Sequence, residues 1–209
     1  MITLIKEFSM KKIHPSWDYM RPNVNEKYED FRFEEYYQRI VSTTKLNHIP
    51  KTIFEQWIYY LHQDYNTLNN YAWINYENVE FTLSEWDLDQ LENVNVIEDF
   101  KSYYLDRASY SRLDQFCCTK EDLYNWKEKG TWKTPPIIID VNTFLKDKPS
   151  WSELTPPYQL IEGHTRLGYL NSLKRISSAN KGGIAPKHLI YLMTRKSNYG
   201  HYKKSGSQQ

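Results

Sequence analysis

The stretch Pro157-Tyr158-Gln159-Leu160-Ile161-Glu162-Gly163-His164-Thr165-Arg166-Leu167-Gly168-Tyr169-Leu170 constrains this chain more than any other. Tyr158 to Ile161 is an apolar, β-prone run that Gly163 breaks. Leu167, Leu170, Leu173 and Ile176 then recur at roughly helical spacing. The order is strand, tight turn, helix. It puts Gly163, His164 and Thr165 at a helix N-terminus, where unsatisfied backbone N–H groups and the helix dipole favour an anion. Thr165 adds a hydroxyl, and Arg166 adds a planar cationic fork suited to phosphate. Glu162 closes the strand just before the turn, well placed for a metal, a ribose hydroxyl or a proton. The same residues also read as a plain turn, with His164 and Thr165 capping the helix.

The flanking sequence predicts a small sheet around this turn. Thr119, with Asp122 three residues on, has N-cap character and opens a short helix, Leu123 to Lys129, that stops at Gly130. Pro135-Pro136 forces an extended entry into Ile137-Ile138-Ile139, a continuous apolar run that suits a strand buried on both faces. This strand is expected to pair with Tyr158–Ile161, and His188 to Met193 reads as the last strand. Lys146 to Thr155 reads as a polar loop. Residues 197–209 have the composition of a disordered basic tail.

Ile161-Glu162-Gly163-His164-Thr165-Arg166-Leu167 resembles the strand-acid-Gly-His-x-Arg signature of the ParB/sulfiredoxin superfamily. The approach through Lys127-Glu128-Lys129-Gly130 and Thr134-Pro135-Pro136 to Ile137-Ile138-Ile139-Asp140 is similar to the family's short helix, turn and first core strand. The resemblance covers roughly residues 116–195. It implies an α+β fold, a ParB/sulfiredoxin-like mixed sheet with helices. It also implies that Gly163, His164, Thr165 and Arg166 hold the phosphates of CTP or ATP, usually with a divalent ion such as Mg2+. Glu162 or His164 would then act as the base of an NTP hydrolase or phosphotransferase. Sulfiredoxins place a cysteine directly after the glycine, where this chain has His164. Chromosome-partitioning ParB proteins have Gly-Glu-Arg-Arg at the turn and a DNA-reading domain after it. The His-x-Arg form is closer to the small-molecule kinase and DNA-modification-associated members.

Charge is distributed unevenly. The chain has 27 basic and 26 acidic residues, yet none of the acidic ones follows Glu162, and nine of the basic ones do. Residues 1–162 therefore carry 18 basic against 26 acidic groups, a balance of −8, and the remainder carries +9. Such an end either holds a nucleotide or a nucleic-acid backbone, as in a nucleic-acid-binding or nuclease-accessory protein acting through Lys174, Arg175, Lys181 and Lys187, or neutralises the acidic body within the same fold. No apolar run approaches membrane-spanning length, the first residues lack a signal-peptide pattern, and no membrane partner is expected. The only two cysteines, Cys117 and Cys118, are adjacent, which favours unpaired, buried thiols and a reducing, cytoplasmic setting.

Residues 1–115 read as a mostly helical, aromatic-rich extension packed on the core, in a chain with 18 Tyr and 7 Trp. Helices are expected from about Glu29 to Thr43, from Ile53 to Asp64, and from Phe100 to Leu113. Asn66 to Asn78 reads as turn-prone, and Val79 to Leu83 as a short strand. Ser84 with Asp87 reads as a capping box opening a helix that carries Trp86, Leu88 and Leu91. His62 is expected to be structural. The front offers no metal-ligand spacing and no nucleophile motif. A third reading makes its Tyr/Trp-rich surface the business end of a non-catalytic interaction module.

Overall fold

Ile137, Ile138 and Ile139 have no accessible surface, as a continuous apolar run in a central strand requires. The computed structural model describes residues 13–23, 32–180 and 183–196. The expected tail, 197–209, and Lys181 lie outside the described residues.

In chain order the helices are α1 (Pro15–Tyr19), α2 (Phe33–Thr43), α3 (residues 51–61) and α4 (Tyr65–Tyr71). Strand β1 (Val79–Trp86), α5 (Leu88–Glu92), β2 (Val94–Asn95) and α6 (Glu98–Ala108) follow. Then come α7 (residues 120–129), β3 (Ile137–Asp140), β4 (Tyr158–Glu162), α8 (His164–Asn180) and β5 (His188–Arg195). The strands form one mixed, five-stranded open sheet in the order β1-β5-β3-β4-β2. β3 pairs antiparallel with β4 and parallel with β5, and β1 lies antiparallel to β5 from Val79↔Arg195 to Trp86↔His188.

Alternation along the strands builds two cores. Ile137, Ile139, Ile161 and Met193 face an aromatic layer that includes Trp17, Tyr36, Phe54 and Trp57 from α1 to α3, and Tyr76 from the turn before β1. Ile138, Leu160 and Ile190 face Leu167, Leu170 and Leu173 of α8, together with Phe116, Trp126 and Trp132. These front aromatics are thus core residues. His62 is structural too, stacked on Trp17 at 4.7 Å, with its Nε2 2.8 Å from the Trp17 carbonyl.

β1 and β2 precede residue 115 and pair with β5 and β4, so the front of the chain shares the sheet with the back. Several local expectations are corrected. Asn66–Asn78 is not merely a turn: Asp64 accepts a hydrogen bond from the Thr67 N–H and caps α4. Ser84 lies within β1, and the capping box is Asp87 with Gln90. Cys117 and Cys118 are exposed rather than buried. The neighbouring Phe116 takes the inward position, stacked on Tyr169 at 4.1 Å. No helix among the described residues is long and apolar enough to cross a membrane.

Candidate functional site

β4 delivers Glu162 to its last position, and Gly163 then turns the chain with φ of 109°, a backbone state that side chains disfavour. A Cβ at Gly163 would lie 2.5 Å from the Pro136 Cβ and 3.1 Å from both Nε and Nη2 of Arg166. Glycine is therefore required both by the turn and by the close approach of the guanidinium. Helix α8 starts at His164, with the Leu167 N–H bonded to the Gly163 carbonyl at 2.9 Å. Gly163 has no side chain to offer the first-turn N–H groups, so a ligand can take the capping role.

The turn opens on a cleft of about 330 Å³. Glu162, His164 and Thr165 line it from the turn. Asp64 and Tyr71 line it from the α4 region, and Phe100 and Tyr103 from α6. The His164 ring packs on Phe100 at 4.5 Å, and its Nε2 is buried without a hydrogen-bond partner. Burial, reinforced by the Arg166 charge, depresses the His164 imidazole to about 4, so it is neutral at physiological pH. Glu162 is pushed the other way: burial raises its carboxyl, while Arg166 and the Gly163 N–H draw it back. Thr165 shares a 2.7 Å hydrogen bond with the Tyr103 hydroxyl. Burial raises the Tyr71 phenol, and the nearby Glu162 adds to the effect.

Arg166 does not line this cleft. Its Nη2 donates to the Gln56 side-chain oxygen at 2.8 Å and lies 3.7 Å from Glu162 Oε1. Its Nε is buried without an acceptor. Of the residues expected to hold phosphate, the fold therefore gathers His164 and Thr165 with Glu162 around one space and sets Arg166 against Gly163. Asp64, Tyr71, Phe100 and Tyr103 were not foreseen; only Asp64 carried a local signal, as the cap of α4. Gln56 carried none, being 110 residues from Arg166.

Three of the four basic residues of the alternative reading, Lys174, Arg175 and Lys187, are engaged within the fold. Lys174 pairs with Glu92, Lys187 with Asp87 at 2.9 Å, and Arg175 donates to the Ala108 and Tyr110 carbonyls. Arg195 pairs with Asp147. No family model, no curated protein and no solved structure matches the chain.

Proposed function

We propose that the β4–Gly163–α8 turn binds the phosphates of a nucleoside triphosphate, in the manner of the ParB/sulfiredoxin superfamily it resembles. The observation that carries this reading is the start of a 17-residue helix directly after a glycine, beside a cleft that Glu162, His164 and Thr165 line together. The cleft volume is within the range of small-ligand sites, and Phe100 and Tyr103 offer ring surfaces to a base. The order β3, β4, α8 supports the finer fold reading, a ParB/sulfiredoxin-like core over 116–196. A reducing, cytoplasmic setting belongs to the same proposal.

A Mg2+ ion carried in by the triphosphate needs only one or two protein carboxylates, and Asp64 lines the cleft. The ion would screen the phosphate charge. Glu162, raised by burial, is then a proton acceptor with a pKa nearer neutrality than an ordinary carboxylate. His164, neutral, donates a hydrogen bond to a phosphate oxygen without adding charge. Hydrolysis or phosphotransfer would rest on this positioning, as phosphoryl transfer generally does.

The test is a thermal-shift screen of CTP, ATP and GTP with Mg2+ on wild type and on Arg166→Ala and His164→Leu. Ligand binding to the native state raises Tm by mass action. The reading expects a rise with one nucleotide that both variants lose while staying folded. No rise with any nucleotide would remove the phosphate site.

A further inference from the structure

Gln56 lies in α3, within a π-helical turn, Phe54–Ile58. Such widened turns shift the face that a helix presents and are frequent at functional sites. The Gln56 side-chain amide bridges two elements. Its Nε2 donates to the Pro135 carbonyl at 3.2 Å, at the entry to β3, and its Oε1 accepts from Arg166 Nη2 at 2.8 Å. The first bond fixes the second, because an amide whose nitrogen faces the carbonyl must turn its oxygen toward the guanidinium. The guanidinium is thus held with Nε and Nη2 over Gly163 and 3.7 Å from Glu162 Oε1, beyond hydrogen-bond contact. Its Nε–H, buried and unpartnered, remains a donor without an acceptor.

We propose that Gln56 is a positioning residue for the anion site: it keeps Arg166 from collapsing onto Glu162. Arginine and carboxylate prefer a bidentate contact of about 2.8 Å, and only a small side-chain movement separates this pair from it. If that contact closed, the Arg166 guanidinium would be neutralised and its fork filled. Gln56 holds the pair apart with a neutral acceptor, so Arg166 keeps its charge beside the turn, where its field favours an anion at the first turn of α8. This inference rests on the anion-binding reading of the turn and adds to it a residue from the front helices.

The experiment measures the affinity for inorganic pyrophosphate, without added metal, by isothermal titration. The proteins are wild type, Arg166→Ala, Gln56→Met, Glu162→Gln and the double variant Gln56→Met/Glu162→Gln. Methionine keeps the length and packing of the glutamine, and urea melts verify that each variant is folded. Gln56→Met is expected to weaken binding about tenfold, the scale of one charge-assisted hydrogen bond. Adding Glu162→Gln should restore most of it, because no carboxylate is left to capture Arg166. The rescue counts only where it exceeds the gain that Glu162→Gln alone gives the wild type, because removing a carboxylate from the cleft strengthens anion binding by itself. Wild-type-like binding by Gln56→Met, or a loss that Glu162→Gln does not repair, overturns the inference while leaving the anion site intact. Failure of the wild type to bind, with Arg166→Ala no different, overturns the anion-binding reading and this inference together.

Discussion

Gly163 combines two demands that no other residue meets: a φ of 109° and contact with Pro136 on one side and Arg166 on the other. Gly163→Ala therefore incurs backbone strain of order 1–3 kcal/mol plus displacement of the Arg166 fork. A urea melt should register a loss of about 2 kcal/mol or more; an unchanged midpoint would mean that the turn relaxes freely. The sequence announced this glycine because a strand pattern and a helix pattern meet there. It did not announce the environment of His164, since the Phe100 ring comes from a distant helix. That environment has a pH signature. His164 and His188 are both depressed to about 4, chiefly by burial. The unfolded chain thus takes up protons near its ordinary histidine pKa while the folded chain does not. Stability from these groups is complete above about pH 6.5 and falls as pH drops toward about 4. For His164 the full change is on the order of 3 kcal/mol. Glu162 opposes it, because a raised carboxyl pKa makes stability fall as pH rises above the ordinary value. Urea midpoints of wild type and His164→Phe at pH 7 and pH 5 separate the two: the variant should lose less on acidification. An equal loss in both proteins would assign the effect elsewhere.

At the scale of elements, α6 decides how closed the cleft is. It has no buried residue of its own, yet it supplies Phe100 and Tyr103 and packs along α8. The close approach is permitted at Gly168, where a Cβ would meet the Arg107 Cβ at 2.6 Å and the Tyr104 carbonyl at 2.9 Å. In an exposed helix Gly→Ala is favourable by about 1 kcal/mol. Here overpacking, at about 1–3 kcal/mol, outweighs that gain, and α6 is the element free to move. Gly168→Ala should lower stability and lower hydrogen-exchange protection across residues 98–108 before it affects β3 or β4. A more stable variant with unchanged protection would show that the contact is slack. The long or well-punctuated elements were legible beforehand: α8 from its leucines, β3 from its isoleucines, and α7 from Thr119 and Gly130. Helix α4 was hidden by its Asn and Tyr content, although Asp64 marked its start. The π-helical turns have no sequence signature, because one extra residue in a turn leaves the apolar pattern nearly unchanged.

At the scale of the whole molecule, the −8 body and the +9 end meet inside one fold. Lys174–Glu92, Lys187–Asp87, Arg195–Asp147 and Arg166–Glu162 each join the acid-free end to an acidic partner. The first three are solvent-exposed pairs and contribute at most about 1 kcal/mol each, so they balance charge more than they hold the chain together. Cohesion comes from the sheet, and this was the least legible feature. β1 finds β5 about a hundred residues later, and no local pattern specifies that pairing. The consequence concerns residues 116–196, which carry the turn, β3, β4 and β5. Taken alone they would lose the eight-residue pairing of β1 on β5. They would also lose the aromatic layer over Ile137, Ile139, Ile161 and Met193, all at most 4% exposed in the full chain. Exposing four such side chains costs roughly 6–12 kcal/mol, comparable to the entire stability of a typical domain. The fragment 116–196 is therefore expected to show no cooperative urea transition and to aggregate, whereas the full chain unfolds cooperatively. A sharp transition and a native-like circular dichroism spectrum from the fragment would make the front half an accessory to a self-sufficient domain. Its absence makes the aromatic helices a structural wall of the site itself, which is how Gln56 of α3 comes to reach Arg166.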